Sequence, residues 1–271
     1  MLSEKIKQSI DMLHRAEPLA LELNPTDGYY LAFSGGKDSQ CVMELARLAG
    51  VKYKAYYSVT GIDSPQNVHF INQFYPEVQF IHHEKNFFRL VEQKGLPMMQ
   101  SRFCCERLKE NLGAGNVLID GVRAEESTKR STYTNVMIRS RRKENTTKGR
   151  HRTIEEIENN AHRCIKGKDR IDIHPLLNWT AADVWQFISQ QQLPYNPCYE
   201  NVGRVGCMFC PYATRQQIHL YIAQFPKYED RLLRAIDVFL QKKPLLPNAE
   251  LYLDWWLSRQ TLEKYKAKYE L

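Results

Sequence analysis

The stretch that decides the fold runs from Tyr29 to Ser39 and reads YYLAFSGGKDS. Its apolar first half predicts a buried strand, Ser34-Gly35-Gly36 a tight turn, and the residues from Ser39 to Gly50 a helix with one apolar face. A glycine-rich turn between a strand and a helix is typical of a phosphate site. The backbone can approach an anion closely there, and the first N–H groups of the helix point at it. Lys37 and the loop hydroxyls add a positive charge and further hydrogen-bond donors.

The loop has two other interpretations. A Walker A loop has a glycine five positions before its Gly-Lys pair and a serine or threonine directly after it. This chain has Leu31 and Asp38 at those places, which excludes that motif. A turn with solvent-facing polar groups and no ligand stays open when the loop is considered alone.

Length and composition are those of a globular protein with a substantial core. The chain has 271 residues, of which 43% are hydrophobic and 25% are charged. No apolar run approaches the roughly 20 residues of a membrane span. The first residues, MLSEK, carry no hydrophobic signal segment. We therefore expect a cytoplasmic protein without membrane contact.

Strands and helices alternate along the chain. The other predicted strands lie at 53–60, 78–81, 117–120 and 171–177. The predicted helices lie at 1–24, from Ser64-Pro65 onward, and at 86–94. A further helix begins after a capping box of Thr180 and Asp183 and runs to about Gln190. This alternation predicts an α/β fold with a doubly wound, mainly parallel sheet flanked by helices. Ligands of such sheets bind at the carboxyl ends of the strands. The last part of the chain is helical in pattern and predicts a C-terminal extension.

A second group of polar residues follows the predicted strand at 117–120. Its members are Gly121, Arg123, Ser127 and Arg130. Carboxyl ends of parallel strands meet at one edge of a sheet, so these side chains could contact a nucleotide or its leaving group. An exposed loop uses the same residue types, so both interpretations stay open for this segment.

Basic residues are concentrated between Lys129 and Arg152. This segment has nine lysines and arginines against one glutamate, whereas the whole chain has a net charge of only +7. The polar part from Arg139 to Arg152 predicts a mobile loop. It is either a solvated surface loop or a clamp on nucleic-acid phosphates. Tyr133 is the only aromatic residue nearby, so base stacking has little support.

The chain has seven cysteines, and four of them form two close pairs. Cys104 and Cys105 are adjacent, and Cys207 and Cys210 form a C-x-x-C turn. Four thiolates that converge can hold zinc or an iron–sulfur cluster. We favour the cluster, because adjacent ligands fit its widely spaced corners better than a regular tetrahedron. Zinc and ordinary thiols remain the alternatives.

In their order along the chain, these motifs resemble the phosphoadenosine phosphosulfate reductase family of the PP-loop ATP pyrophosphatase superfamily. The motifs are the loop from Ser34 to Ser39, Thr60-Gly61, Cys104-Cys105, Gly121-x-Arg123 with Glu126-Ser127 and Arg130, His174-Pro175-Leu176 before Trp179 to Trp185, and Gly206-Cys207-x-x-Cys210. The resemblance is strongest to the branch of ATP pyrophosphatases of DNA phosphorothioation. It implies an adenine nucleotide α-hydrolase fold in three parts: an N-terminal helix at 1–27, a nucleotide-binding domain at 28–215 and a helical extension at 216–271.

The resemblance also implies site residues. The implied nucleotide-binding residues are Ser34, Gly35, Gly36, Lys37, Asp38, Ser39, Thr60, Gly61, Gly121, Arg123, Ser127 and Arg130. The residues implied to hold a [4Fe-4S] cluster are Cys104, Cys105, Cys207 and Cys210. We expect the catalytic residues to be Lys37, Asp38 and Arg123. Asp38 would orient Mg²⁺ or the attacking group, or it would simply cap the helix.

Two features depart from the family pattern. Val59 stands where the family often has an aspartate before its Thr-Gly pair. The reductases use a cysteine in a C-terminal tail as nucleophile, and no cysteine follows Cys210 in this sequence. Reduction of a sulfonucleotide would therefore need a thiol from Cys41, Cys164, Cys198 or a partner.

The sequence thus predicts an ATP pyrophosphatase that uses ATP with Mg²⁺ and adenylates an acceptor. Sulfur from a donor such as a cysteine desulfurase would then displace the adenylate, and the acceptor could be a nucleic acid bound by Lys129 to Arg152. One alternative is a sulfonucleotide reductase that uses a cysteine from elsewhere. Another is a catalytically silent, cluster-dependent subunit that binds nucleic acid.

Overall fold

The computed structural model describes residues 1–140, 148–155 and 170–270. The chain forms two compact units, each built from three stretches of sequence. The first unit contains Met1–Ser58, Asn67–Ile81 and Leu112–Pro197. The second unit contains Val59–Gln66, His82–Asn111 and Cys198–Leu271. The three-part division made from the sequence stays a prediction.

The strands of the described ranges form one sheet of seven in the order β3-β2-β1-β4-β7-β5-β6. They are β1 Tyr29–Ala32, β2 Tyr53–Val59, β3 Gln79–His82, β4 Val117–Ile119, β5 Val136–Ser140, β6 Lys148–Arg152 and β7 Arg170–Ile173. The described helices are α1 Leu2–Leu23, α2 Lys37–Ala49, α3 Pro65–Phe74, α4 Phe87–Lys94, α5 Phe103–Cys105, α6 Ala181–Gln190, α7 Cys198–Asn201, α8 Arg215–Gln224, α9 Pro226–Lys242, α10 Ala249–Ser258 and α11 Leu262–Tyr269. Apart from Val59 and His82, the sheet belongs to the first unit.

The sheet is mainly parallel, as the sequence predicts. Strand β1 pairs in parallel with β2 and β4, and β4 pairs in parallel with β7. The register places Leu31 opposite Ile119 and Val117 opposite Ile171. The central strands are short and almost completely buried on both faces of the sheet. Their sequences are therefore mostly continuous apolar runs and do not alternate between apolar and polar residues. The predicted α/β fold class is confirmed.

Helix α2 begins two residues earlier than the sequence predicted. Its N-cap is Gly36, whose backbone is extended, and the first helical residue is Lys37. Asp38 therefore lies in the first turn, and its predicted alternative role as the helix cap is wrong. The helix ends at Gly50, which is left-handed with a φ of 67°. The buried face of α2 includes Cys41 and Leu45.

The last predicted strand is shorter than expected, and one predicted loop contains strands. β7 ends at Ile173, and the next residues form a turn that leads to the capping box of Thr180 and Asp183. The predicted mobile loop at 139–152 instead contributes the end of β5 and all of β6, which pair antiparallel at the sheet edge. Charged residues are common on edge strands because they discourage pairing with other chains. The rest of that predicted loop, residues 141–147, lies outside the described residues.

The second unit is mostly helical. Helix α4 is capped by the Asn86 side chain, which accepts from the Arg89 N–H, and it packs against α9. The short helix α5 continues directly as one π-helical turn, Glu106–Glu110. Large aromatic side chains, including Phe87 and Trp256, fill the core of this unit. No helix in the described ranges is both long and apolar enough to cross a lipid bilayer.

Candidate nucleotide site and cysteine centre

The loop from Ser34 to Ser39 is closed by its own hydrogen bonds. Ser34 donates from its backbone N–H and from its hydroxyl to Ser39 Oγ, each over 3.1 Å. Ser39 Oγ donates to the Gly36 carbonyl over 2.9 Å, and the Gly36 N–H donates to Ser34 Oγ over 3.3 Å. Both hydroxyls therefore fix the shape of the turn at the N-terminus of α2, where the helix dipole favours an anion.

Two buried asparagines hold the loop from outside. Asn196 Nδ2 donates to the Gly35 carbonyl over 2.9 Å and to Asn67 Oδ1 over 2.7 Å. Asn67 Nδ2 in turn donates to the Ser34 carbonyl over 3.1 Å. Gln40 adds a bond from Nε2 to the Gly35 carbonyl. The loop carbonyls are thus occupied by side-chain donors, which fixes the loop before any ligand arrives.

Gly35 is needed for this arrangement. Its φ is +75°, and a Cβ at this position would lie 2.4 Å from Asn67 Oδ1. Real side chains never approach so closely, so either the loop or Asn67 would have to move.

We expect Gly35→Ala to lower the free energy of unfolding by about 1–3 kcal/mol and to weaken ATP binding, because backbone strain and the contact with Asn67 add together. Urea unfolding and calorimetric titration with ATP would measure both. Gly50→Ala is the matched control, since Gly50 also has a positive φ, +67°, but nothing lies within 4 Å of its Cβ position. Equal losses in the two variants would mean that the contact with Asn67 does not matter.

Asp38 joins two cations at the start of α2. Its Oδ2 lies 2.6 Å from Lys37 Nζ, and its Oδ1 lies 2.7 Å from Arg123 Nε. The Arg123 side chain is only 6% exposed, so its position is tightly determined. Burial alone would lower the pKa of Arg123, but Asp38 raises it, so the guanidinium stays charged. The structure thus brings together all three side chains that were predicted to be catalytic.

The segment after β4 packs directly on the loop helix. A Cβ on Gly121 would lie 2.8 Å from Asp38 Cβ, so only glycine allows this approach. Arg123 Nη1 also pairs with Glu125 Oε2 at 2.7 Å, and that carboxylate accepts the Ala181 N–H at the start of α6. These contacts fix the distance between Arg123 and α2.

Two other residues predicted to bind nucleotide have partners within this segment. Arg130 forms an ion pair with Glu126, and Ser127 Oγ accepts the Arg130 N–H over 3.2 Å. Arg130 is therefore held near the turn that carries Arg123, because Glu126 also accepts the Arg123 N–H over 3.0 Å. In the structure the Ser127 hydroxyl serves this local turn.

A buried charge network lies under the same segment. Asp120 Oδ1 accepts from His174 Nδ1 over 2.7 Å, while Asp172 is paired with Arg139 and Arg170. Burial alone would lower the pKa of His174, but Asp120 raises it above its usual value. Asp120, Asp172 and His174 have the residue types of a cation site. The two arginines already neutralise Asp172, so the arrangement is an ion-pair network rather than a metal site.

Thr60 and Gly61 lie in the second unit, with the cysteines. Their backbone N–H groups both donate to Asp63 Oδ2, over 2.6 Å and 3.2 Å. Thr60 Oγ1 lies 3.8 Å from Cys207 Sγ. The predicted contact of this pair with the nucleotide stays a prediction, and in the structure Thr60 contacts a cysteine.

All four cysteines of the predicted centre also belong to the second unit. Cys104 and Cys105 end helix α5, and the neighbouring Cys105 thiol raises the pKa of Cys104. Cys207 forms a β-bridge with Asp63, which fixes the C-x-x-C turn. The four side chains are partly buried against the helical core. Within the described ranges, no three of their sulfurs lie within 4.8 Å of one another.

Positively charged side chains surround this centre. Arg102 Nη1 donates to Cys105 Sγ over 3.8 Å, and its guanidinium lies 4.9 Å from the centre of the Tyr212 ring. The Cys207 sulfur acts on Lys109 through its charge and raises the pKa of this lysine against the effect of burial. Burial raises the pKa of Cys207, whereas Lys109 opposes this change. Thiolates at this centre would therefore find donors and positive charge already in place.

A model of the phosphoadenosine phosphosulfate reductase domain matches residues 28–213. The chain belongs to this family. An uncharacterized protein of Methanocaldococcus jannaschii is 29% identical over 218 residues, which cover 75% of this chain and 47% of that protein. An adenosine 5'-phosphosulfate reductase of Lysinibacillus sphaericus is 42% identical over 41 residues, 15% of this chain and 18% of that enzyme. The chain thus spans about half the length of the first relative and about a fifth of the second.

Three solved structures are similar at low identity. A complex of the Candida glabrata FMN adenylyltransferase with FAD and inorganic pyrophosphate has a TM-score of 0.49 and 13% identity, covering 76% of this chain and 63% of that one. A Candida auris phosphoadenylyl-sulfate reductase in a phosphate complex has a TM-score of 0.44 and 15% identity, covering 76% of this chain and 93% of that one. The U34-tRNA thiolase of Methanococcus maripaludis with its [4Fe-4S] cluster has a TM-score of 0.39 and 14% identity, covering 93% of this chain and 82% of that one. Every score is below 0.5, so these likenesses support no conclusion about ligand or reaction.

In this member of the phosphoadenosine phosphosulfate reductase domain family, the sequence pattern did not predict several residues of the two sites, among them Asn67, Asn196, Asp63 and Lys109. Asn67 and Asn196 are far apart in the chain and carry no local motif. Asp63 follows Gly61 by two residues, and a carboxylate so close to a turn is a usual acceptor for its N–H groups. Lys109 follows Cys105 by four residues on the same helical segment, a spacing that could have identified it.

The remaining described cysteines are buried. Cys41 donates to the Val184 carbonyl, and Cys198 donates to Ser64 Oγ. Burial raises the pKa of both thiols. Cys164 lies outside the described residues.

Proposed function

We propose that this chain is an ATP pyrophosphatase that activates an acceptor by adenylation. The loop from Ser34 to Ser39 would hold the β and γ phosphates, and an acceptor oxygen would attack the α phosphorus. As this bond forms, the bond between the α phosphorus and the bridging oxygen of pyrophosphate breaks. The observation that carries the proposal is the group of Lys37, Asp38 and Arg123 at the start of α2.

Two cations beside a helix N-terminus suit a leaving group that gains negative charge. Pyrophosphate gains charge as it departs, and preorganised donors stabilise such charge more strongly than water does. Asp38 holds Lys37 and Arg123 in position before ATP binds, which reduces the ordering that binding requires. Catalysis would therefore be mainly positional and electrostatic.

Mg²⁺ enters this proposal as a partner of the phosphates. In phosphate sites the metal is usually held by one or two carboxylates together with phosphate oxygens. Asp38 is the loop carboxylate, but both its oxygens are paired with cations. It would have to release one of them to bind a metal. We therefore assign Asp38 a positioning role and expect the phosphates to supply most of the metal ligands.

We infer that the cysteine centre holds an iron–sulfur cluster rather than zinc. Adjacent ligands such as Cys104 and Cys105 fit the widely spaced corners of a cluster better than they fit a regular tetrahedron. Cys104, Cys105, Cys207 and Cys210 would hold a [4Fe-4S] cluster, whose corners are farther apart. When bound, such a cluster supplies electron-transfer or sulfur-binding chemistry, while Arg102 and Lys109 offset its negative charge.

The acceptor and the sulfur donor complete the proposal. The terminal sulfur of a persulfide donor such as a cysteine desulfurase would attack the adenylated acceptor and expel AMP. A second thiol would then reduce the disulfide that joins acceptor and donor and so release the thiolated acceptor. The segment from Lys129 to Arg152 has nine basic residues and would bind the phosphates of a nucleic-acid acceptor, as expected for the phosphorothioation type of enzyme. Two of these residues, Arg130 and Arg139, already pair with Glu126 and Asp172. Residues 141–147 of this segment lie outside the described part of the chain.

A sulfonucleotide reductase is the second candidate, and family membership favours it. That reaction needs a thiolate nucleophile. Among the described residues, the cysteines outside the centre are Cys41 and Cys198, and both are buried with raised pKa values. They are poor nucleophiles for this reason. Sulfite release from a labelled sulfonucleotide in the presence of thioredoxin would favour this candidate instead.

Pyrophosphate release from ATP tests the proposed function. We expect the anaerobically purified chain to release pyrophosphate with Mg²⁺ and ATP. Lys37→Ala should lower the rate by about 100-fold, because one of the cations that faces the leaving group is lost. Ser39→Ala should also lower it, since this hydroxyl closes the loop. Lys52→Ala, an exposed charge on the surface, should change the rate less than about twofold. An unchanged rate in Lys37→Ala would contradict the proposal.

A further inference from the structure

His174 is a buried residue for which the reaction proposed above provides no role. Its side chain is fully buried, and Nδ1 contacts Asp120 Oδ1 at 2.7 Å. Within the described part of the chain, Nε2 has no hydrogen-bond partner. The Nδ1 contact is therefore the described polar contact through which this ring acts on its surroundings.

The contact leads through Asp120 to the turn that carries Arg123. The Asp120 oxygen that accepts from His174 also accepts the Val122 N–H over 3.1 Å. One carboxylate oxygen thus fixes the turn just after β4. Gly121 lies in this turn and packs against Asp38. Arg123 follows Gly121 by two residues and pairs with Asp38.

His174 is itself held on both sides of its ring and backbone. Its N–H donates to the Asn135 carbonyl over 2.8 Å, and Asn135 Nδ2 donates back to the His174 carbonyl. Tyr133 stacks on the ring at a centroid distance of 6.0 Å. These contacts fix the histidine in place. Because His174 directly follows β7 and contacts Asp120, it fixes the turn after β4 relative to the end of β7.

We propose that His174 is a positioning residue for the nucleotide site: through Asp120 it sets the turn of Gly121 to Arg123 and thereby the place of the Arg123 guanidinium. This inference rests on the proposed function, because it assumes that Arg123 contacts the nucleotide. It does not depend on the charge of His174, since both the neutral Nδ1–H form and the cation donate to Asp120. Asp172, Arg139 and Tyr133 also face the ring, and Arg139 also acts on Asp120 through its charge.

Two substitutions separate this role from simple core packing. The side-chain amide of asparagine can place its nitrogen near the position of His Nδ1, whereas that of glutamine places it near Nε2. We therefore expect His174→Gln to raise the dissociation constant of ATP by about fivefold to tenfold, and His174→Asn to stay within about twofold of wild type. A purely structural role predicts that His174→Asn weakens ATP binding more than His174→Gln, because glutamine fills more of the site than asparagine. His14→Gln, at an exposed position, is the control.

Calorimetric titration with ATP, with the unfolding temperature of each variant, provides the test. Arg123→Ala separates the two ideas: if it leaves ATP binding unchanged, the proposed function fails and this inference fails with it. If Arg123→Ala weakens binding but His174→Gln does not, only the role of His174 is overturned. A double variant should bind no more weakly than Arg123→Ala alone if His174 acts through Arg123. Additive losses would contradict the proposal.

Should His174→Gln not fold, Asp120 gives the same comparison. Asp120→Asn keeps an oxygen that accepts from both His174 and Val122, so ATP binding should stay within about twofold of wild type. Asp120→Ala loses both bonds and should weaken ATP binding by about tenfold. Equal dissociation constants in these two variants would overturn the proposal.

Discussion

Replacing Arg123 by alanine should lower the rate of pyrophosphate release by about 100-fold to 1,000-fold, the usual effect of removing one preorganised donor from developing negative charge. Its guanidinium is almost completely buried and is held by Asp38 and Glu125 in the described structure. Removing it takes away one of the two cations beside the loop. It also leaves Asp38 paired with Lys37 alone, so the local charge becomes less favourable for phosphate.

A lysine at this position should recover only part of the rate. It keeps the positive charge but cannot donate to Asp38 and Glu125 in the planar geometry of a guanidinium. Arg47→Ala is a matched control, because Arg47 lies in the last turn of α2 and pairs with Glu44 and Glu77 at the surface. We expect that variant to keep its rate within about twofold. Equal losses in Arg123→Ala and Arg47→Ala, measured as initial rates of pyrophosphate release, would contradict a direct role of Arg123.

Cys207→Ala should remove the iron–sulfur chromophore. The anaerobic wild-type protein is expected to show a broad brown absorbance and about four irons per chain. Loss of one ligand should abolish most of both, because Cys207 is fixed in the C-x-x-C turn and contacts Thr60 and Lys109. ATP binding should be retained, since the described contacts of the Ser34–Ser39 loop come from the first unit.

Cys198→Ala is the control for the cluster prediction. Cys198 is buried and bonded to Ser64, and it is not one of the four predicted ligands. The iron content and visible absorbance of the Cys198→Ala variant should match those of the wild type. Stoichiometric zinc in the wild type, or iron retained in Cys207→Ala, would show that the centre has another occupant.

The parts of the site that lie in one continuous stretch were predictable from the sequence. The loop from Ser34 to Ser39 combines a strand, two glycines and a helix start, and each of these leaves a local signal. The start of α2 was misplaced by two residues because an extended glycine can cap a helix without a side-chain bond. A helix that begins at Ser39 makes Asp38 a possible cap, whereas in the structure Asp38 pairs with Arg123 from a distant strand end.

Contacts between distant segments could not be predicted in this way. Asn196 meets Asn67 across 129 residues of sequence, and no local pattern marks either residue. The edge strands β5 and β6 were missed for a different reason. Their charged residues resemble a loop, and only pairing with β7 and with each other makes them strands. The pattern Val136-Met137-Ile138 was available as a signal, and all three residues are buried.

The identity of the nucleotide product tests the central claim most directly. ATP labelled at the α phosphate would be incubated with the anaerobic protein and Mg²⁺, with and without tRNA or double-stranded DNA, and the products separated by chromatography. We predict AMP or an adenylated acceptor together with pyrophosphate, and loss of both in Lys37→Ala. ADP with inorganic phosphate would mean attack at the γ phosphorus and would contradict the account. Sulfite from a sulfonucleotide, without any turnover of ATP, would contradict it as well and identify a reductase.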